Sequence, residues 1–166
     1  MAVAMQALDA VLHVESTDGT RTVPVDALYR LPGDAPQVET TLAPGELITY
    51  VTLPAPPPGC MSYRKVRDRA SYAFALVSVA ATMAVSDGLV TSIRIAFGGV
   101  ALKPWRARRA EAALIGRPAT MSSFCKAARA ELQDAAGWGE NDFKVLLLRR
   151  TLLSTLVELS DRNLEA

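Results

Sequence analysis

The fold is decided by the stretch Val77-Ser-Val-Ala-Ala-Thr-Met-Ala-Val-Ser-Asp-Gly-Leu-Val-Thr-Ser-Ile-Arg-Ile-Ala-Phe97. Apolar side chains alternate with others along both of its halves, which is the period of a half-buried strand. Ser86-Asp-Gly88 separates the halves and turns the chain, so the two runs form a predicted antiparallel hairpin. Met61-Ser-Tyr-Arg-Lys-Val66, upstream, is a third predicted strand. We therefore expect a three-stranded antiparallel sheet.

Three helical stretches follow this sheet. The first runs from Pro104 to Leu114, and its proline suits a first helical turn. The second runs from Met121 to Ala136, and Asn141 is predicted to cap the third. The apolar faces of the last two are Phe124, Ala128, Leu132 and Ala135, and Leu148, Leu152, Leu156 and Leu159. A small antiparallel sheet packed on three helices buries these faces, so the predicted fold class is α+β.

The first 54 residues are predicted to be rich in β-structure. The expected strands are Leu8 to Glu15, Arg21 to Val25 and Leu47 to Leu53, with a hairpin turn at Thr17-Asp-Gly-Thr20. Pro24 has no backbone N–H to donate, so the second of these strands is expected at a sheet edge.

Pro54-Ala-Pro-Pro-Pro-Gly59 is the only proline cluster of the chain. Such a run continues neither a strand nor a helix, so it is predicted to be a semi-rigid linker. It divides the chain into two predicted domains, residues 1–54 and 60–166. A proline-rich recognition motif is the alternative interpretation.

The composition excludes several classes of protein. The 166 residues are 50% hydrophobic, enough for a core, and 18 basic against 17 acidic residues give no nucleic-acid or polybasic membrane surface. No apolar run is long enough for a membrane span. Met1-Ala-Val-Ala-Met-Gln6 lacks the basic start of a signal peptide. We therefore expect a soluble protein of the cytoplasm.

Motifs that would form a self-sufficient active site are missing from the sequence. Cys60 and Cys125 are too few and too far apart for a disulfide framework or a cysteine-only metal site. His13 is the single histidine, expected to be exposed or at a sheet edge. No serine-nucleophile, zinc-protease, P-loop or dinucleotide-binding motif is present, and Gly98-Gly99 is interpreted as a bulge or tight turn. Judged by its motifs alone, the chain would be an unrelated α+β domain that binds a small ligand. No catalytic residue and no metal ligand is predicted.

Three ordered blocks resemble a known family. They are Gly45-Glu-Leu-Ile48 with Val51-Thr-Leu-Pro54, Tyr63-Arg-Lys-Val-Arg-Asp-Arg-Ala-Ser-Tyr-Ala73, and Ile95-Ala-Phe-Gly-Gly-Val-Ala-Leu-Lys-Pro-Trp-Arg-Ala107. Together they resemble the FAD-binding medium subunit of the molybdenum hydroxylases, the xanthine dehydrogenase and carbon monoxide dehydrogenase family. The similarity is greatest to the bacterial aldehyde oxidoreductase branch.

The resemblance implies a particular fold. Residues 1–54 would be the tail of the second FAD-binding subdomain, and residues 60–166 the C-terminal domain of a CO dehydrogenase flavoprotein, a three-stranded sheet on a three-helix bundle. Members of the family begin with a longer region that holds two glycine-rich segments around the FAD pyrophosphate. Neither segment is present here, so the resemblance implies a truncated or split flavoprotein subunit.

The resemblance also implies cofactor-binding residues. Leu47 and Ile48 match an apolar pair that lines the isoalloxazine ring, and the alternative is plain strand core. Lys65 matches a lysine near the ring, where a cation would stabilise negative charge at the N1–C2 edge of reduced flavin; the alternative is a solvated charge. Two further groups match the family's blocks: Arg67, Asp68 and Tyr72, in a loop that passes the ring in relatives, and Trp105 and Arg106, expected to fix a helix onto the sheet.

The function that the resemblance implies is electron transfer. The complete enzyme would oxidise an aldehyde or a purine-like heterocycle at a molybdenum cofactor in a large subunit. Electrons would pass through iron–sulfur clusters in a small subunit to FAD, and then to an external acceptor. The enzyme would be cytoplasmic, or periplasmic through the signal of a partner subunit. The alternative is a non-catalytic fragment that only docks other subunits and does not bind FAD alone.

Overall fold

The computed structural model describes residues 1–164. Its helices are α1 (Ala2–Ala7), α2 (Val25–Leu28), α3 (Arg108–Leu114), α4 (Met121–Leu132) and α5 (Phe143–Leu164). Its strands are β1 (Val11–Ser16), β2 (Gly19–Pro24), β3 (Leu47–Thr52), β4 (Cys60–Val66), β5 (Val77–Ser86), β6 (Leu89–Gly98) and β7 (Trp105–Arg106). They form two antiparallel sheets, a smaller one ordered β2-β1-β3 and a larger one ordered β4-β5-β6-β7.

The larger sheet confirms the predicted hairpin and its third strand. Met83 lies opposite Ile93 and Val79 opposite Phe97, and β4 pairs with the other edge of β5. Every second residue of β5 and β6 points to the helices, which is why a period of two in the sequence becomes one buried face. The main core comprises this face and the leucine stripe of α5, including Leu148, Leu152, Leu156 and Leu159. The predicted α+β class, with a three-stranded sheet on helices, is confirmed.

The helix predicted from Pro104 begins later than expected. Trp105 and Arg106 pair with Phe97 and Ala96 as a short fourth strand, and α3 starts only at Arg108. The Trp105 ring packs edge-on against Phe97 with 5.7 Å between ring centroids. The backbone pairing with β6 extends the sheet by one strand, so Pro104 precedes a strand instead of opening a helix.

Asn141 does not cap the last helix as predicted. Its side-chain oxygen accepts a hydrogen bond from the backbone N–H of Trp138 at 2.6 Å, on the side away from α5. The helix begins at Phe143. The predicted second helix also ends early, at Leu132 instead of Ala136.

The smaller sheet has the predicted hairpin, with β2 at an edge as Pro24 requires. Two features differ from expectation. His13 lies half-buried on the central strand, stacked on Tyr50 with 3.9 Å between ring centroids, so the prediction that it is exposed or at a sheet edge is wrong. The strand predicted from Leu8 begins at Val11, because α1 ends at Ala7 and a turn at Leu8 and Asp9 follows it.

Gly98 and Gly99 lie where the backbone passes close to other segments. A side chain on Gly98 would meet Val3 of α1, and one on Gly99, at φ +77°, would meet the carbonyl oxygens of Ala75 and Leu76. Strand β6 ends at Gly98 and the chain bends at Gly99, in a backbone conformation that favours glycine.

Candidate functional site

The candidate site is the face of the larger sheet opposite the α3–α5 bundle. Helix α1 covers part of this face, with Val3 and Ala7 packed on Ala80 and Ala96. Beside α1, an apolar groove of about 180 Å³ remains open against β4 and β5. The groove is lined by Ala4, Ala7, Leu8, Met61, Ser62, Tyr63, Ala80, Ala81 and Thr82.

Lys65 lies on this open face of the sheet. It pairs with Ser78 of β5 and alternates with Arg64 and Val66, whose side chains are less exposed. Its ammonium nitrogen is 5.6 Å from the centroid of the Tyr63 ring. Within residues 1–164 no carboxylate forms an ion pair with Lys65. An exposed cation without an acidic partner is available to an anionic ligand; its role toward flavin stays a prediction.

Leu47 and Ile48 are exposed on β3. Their side chains are 67% and 36% accessible, and every residue of this strand is exposed. The interpretation of this pair as plain strand core does not hold within residues 1–164, because both side chains are accessible. Lys65 lies in the other sheet, and no hydrogen bond or ion pair within the described part of the chain joins it to the pair. The structure therefore places the three predicted residues on two different sheets, Leu47 and Ile48 on the smaller and Lys65 on the larger.

The loop between β4 and β5 exposes two aromatic rings at one end of the candidate site. Its base is closed by the Leu76 N–H, which donates to the Val66 carbonyl at 2.8 Å. Arg69 donates to the Tyr72 carbonyl, and Tyr72 adopts φ +52° with a side chain that is almost fully accessible. Phe74, two residues on, is 99% accessible and was not among the predicted residues. The signal in the sequence is two aromatic residues spaced by one in a polar loop.

Trp105 and Arg106 connect the sheet to the helices. The Trp105 indole N–H donates to Glu131 of α4 at 2.8 Å, and Arg106 Nε donates to Glu111 of α3 at 2.5 Å. These contacts confirm the prediction that the two residues fix a helix onto the sheet. Arg106 also reaches Asp9, which lies between α1 and β1, a contact that the sequence does not predict.

An ion pair at the surface of the sheet stabilises the turn that precedes β3. Glu46 accepts two hydrogen bonds from Arg21, at 2.5 and 2.7 Å, and one from the backbone N–H of Ala43 at 2.6 Å. The Arg21 hydrogen bond, followed by that of Ala43, lowers the pKa of Glu46 from 4.5 to about 2. The pair fixes the turn that leads into Leu47.

We expect this pair to make the stability of the chain depend on acid pH. The folded pKa of Glu46 lies below its unfolded value, so its contribution is present above pH 4.5 and is lost between pH 4.5 and about 2. The measurement is the urea midpoint as a function of pH for the wild type and Glu46→Gln. The difference between them should shrink over this window. Glu140→Gln is the control, because Glu140 forms no ion pair within residues 1–164; an equal effect there would contradict the assignment.

Two family models define the class of protein to which these features belong. Residues 1–56 match the FAD-binding domain of molybdopterin dehydrogenases, and residues 61–158 match the C-terminal domain of CO dehydrogenase flavoproteins. The chain belongs to the family of FAD-binding medium subunits of molybdenum hydroxylases, which are oxidoreductases.

Individual relatives support the same family. The chain is 50% identical over 160 residues to the aldehyde oxidoreductase FAD-binding subunit PaoB of Escherichia coli strain K12. The aligned region covers 95% of this chain and 47% of that protein. It is 30% identical over 166 residues to the nicotine 6-hydroxylase medium subunit of Paenarthrobacter nicotinovorans. This alignment covers 94% of this chain and 54% of that protein. The carbon monoxide dehydrogenase structure from Hydrogenophaga pseudoflava superposes with a TM-score of 0.85 at 28% identity, over 97% of this chain and 56% of that chain. The chain thus spans about half the length of these relatives.

FAD is the cofactor of this family, and the residues of the site fit one part of it. The accessible side chains of Leu47 and Ile48 suit the flat apolar surface of a flavin ring, and the unpaired ammonium of Lys65 suits its polar edge. Residues 1–164 contain no glycine-rich phosphate loop of the kind that would hold the pyrophosphate. They also contain no helix long and apolar enough to span a membrane and no group of three potential metal-ligating side chains.

Proposed function

We propose that this chain forms walls of a flavin-ring pocket in an oxidoreductase that passes electrons from iron–sulfur clusters through FAD to an external acceptor. FAD supplies the redox chemistry when bound, and the protein orients the ring and tunes its charge. The observation that carries the proposal is the ammonium of Lys65, exposed on the open sheet face and free of acidic partners within residues 1–164. Its positive charge favours a ring that gains negative charge on reduction.

The other residues of the site would exclude water and orient the ring. Leu47 or Ile48 would contact one face of it, since both side chains are accessible and apolar and neighbouring residues of a strand point to opposite faces. Tyr72 and Phe74 would close the end of the pocket beside the loop after β4. No residue of this chain is proposed as a general acid or base.

The proposed partners are a large subunit that binds the molybdenum cofactor and a small subunit that binds iron–sulfur clusters. Support comes from the relatives, one named as an FAD-binding subunit of an aldehyde oxidoreductase and another as a medium subunit of a hydroxylase. The large subunit would select the substrate, which we propose to be an aldehyde. We propose residues 1–54 and 60–166 as the two domains of the chain, and the cytoplasm as its location.

Replacing Lys65 by methionine tests the proposal in the complete flavoprotein subunit. We expect the flavin reduction potential to fall by about 30 mV, equivalent to about 1.4 kcal/mol for a two-electron couple, because reduced flavin loses a nearby cation. Spectroelectrochemical titration measures this change. Lys126→Met, an exposed lysine on the α4 surface, is the matched control. An unchanged potential in Lys65→Met would remove Lys65 from the site.

A second candidate function is that of a docking module that holds other parts of the enzyme without binding FAD itself. The observation in its favour is β3, an edge strand whose residues are all exposed. Titration of the purified chain with FAD, followed by quenching of flavin fluorescence, separates the candidates. Binding by the complete subunit but not by the chain alone would mean that this chain contributes only part of the pocket. Absence of binding by both would leave the docking function.

A further inference from the structure

The guanidinium of Arg106 joins the beginning of the chain to the end of the larger sheet. Its Nη1 donates to the carbonyl of Gln6 at 2.8 Å and to Oδ1 of Asp9 at 2.6 Å. Its Nε donates to Glu111 at 2.5 Å. The Arg106 side chain is only 6% exposed, so these charge-assisted hydrogen bonds are largely shielded from solvent.

Asp9 is the residue at which the chain turns from α1 towards β1. It adopts φ +52°, a conformation that aspartate and asparagine tolerate better than most residues. Its second carboxylate oxygen lies 3.3 Å from Nη1 of Arg94 on β6. Two arginines of the larger sheet therefore contact one carboxylate at the start of the smaller sheet, Arg106 through a hydrogen bond and Arg94 through an ion pair alone.

This arrangement connects the sheet that carries Leu47 to the sheet that carries Lys65. On one side, β1 pairs with β3, where Glu15 lies opposite Leu47. On the other, Arg106 lies opposite Ala96 on β6, and β5 connects β6 to the strand of Lys65. The ion pairs at Asp9 thus link two sheets that carry different predicted ring contacts.

We infer that the cluster of Arg106, Arg94 and Asp9 is a positioning element that sets the separation of the two walls of the flavin pocket. The inference rests on the proposed function. Arg106 and Asp9 act through the strands and touch no reacting atom themselves. What they fix is the place of the Leu47 strand relative to Lys65.

The charges of the cluster favour this role. Burial lowers the pKa of the Arg106 guanidinium, but Glu111 and Asp9 together outweigh burial, and the pKa lies above its ordinary value. The residue is therefore cationic whenever the protein is folded. If Asp9 is replaced by a neutral residue, Arg106 still forms its ion pair with Glu111. The junction between the sheet and α3 therefore persists, while the link to α1 and β1 weakens. Asp9 is 45% exposed, so this replacement is compatible with a folded chain.

The test is Asp9→Asn in the complete flavoprotein subunit assembled with its partners and FAD. Asparagine keeps the shape of the side chain and tolerates φ +52°, so the variant removes the charge alone. We expect the visible circular dichroism of the bound flavin to change and its rate of reduction to fall about tenfold, because small displacements of reacting groups are costly. Arg106→Met should show a larger change, and Arg106→Lys should recover part of it.

Asp134→Asn is the matched control. It removes an ion pair with Arg109 that is confined to the bundle side and exposed to solvent, so the flavin spectrum and rate should stay as in the wild type. If Arg106→Met does not fold, the result for Asp9→Asn alone decides whether the cluster positions the two walls. An unchanged spectrum and rate in Asp9→Asn would overturn the inference while leaving the proposed function intact. A wild-type subunit that binds no FAD would overturn both.

Discussion

Glu131→Ala should lower the free energy of unfolding by about 3 kcal/mol, since two donors lose a charged acceptor. Glu131 is buried on α4, and its two oxygens accept from the Trp105 indole at 2.8 Å and from the backbone N–H of Ala110 at 2.9 Å. The second contact satisfies an N–H in the first turn of α3, which has no side-chain cap of its own. One carboxylate thus anchors α3 and β7 to α4.

Urea unfolding of the wild type and the variant measures this change. Glu131→Gln should lie between them, because an amide offers one oxygen where the carboxylate offers two. Asp134→Ala, at an exposed position one turn away, should change the urea midpoint little. A midpoint for Glu131→Ala within error of the wild type would show that solvent or a shifted side chain replaces the lost acceptor.

Phe97→Ala is expected to have the second large effect, a loss of about 3–5 kcal/mol, because it empties a large buried volume. Phe97 is fully buried in the main core, opposite Val79 and in edge contact with the Trp105 ring. The variant removes the surface on which β7 packs, and with it the support of Arg106. Phe97→Leu keeps most of the volume and should cost about 1.5 kcal/mol.

Thermal and urea unfolding of both variants, monitored by Trp105 and Trp138 fluorescence, checks the order of these costs. An alanine variant no less stable than the leucine variant would mean that the core collapses around the vacancy. The Phe97 variants should also disturb the proposed flavin pocket, because a displaced β7 would move Arg106 away from Asp9.

Regular, local patterns of the sequence predicted most of the fold. The alternation from Val77 to Phe97 required no knowledge of distant residues, because each strand buries every second side chain against the same bundle. Helix α1 could not be predicted in this way. It has six residues and no side-chain cap, so its stability depends on packing against Ala80 and Ala96 of the larger sheet.

The site was predictable only in part. Lys65 and Leu47 follow from blocks that resemble a family, but their accessibility depends on what packs over each strand, which an alternating pattern does not specify. The contact between Arg106 and Asp9 joins residues 97 positions apart. A contact of this kind arises from the tertiary arrangement of two sheets, and neither residue's neighbours in the sequence indicate it.

The open edge of β3 has a consequence for how the protein is handled. Its six residues combine β-branched and aromatic side chains with backbone groups that have no strand partner along one side within residues 1–164, and such strands recruit copies of themselves into intermolecular sheets. Overproduction of the chain by itself should therefore yield inclusion bodies. Co-expression with the proposed partner subunits is the practical route to soluble material.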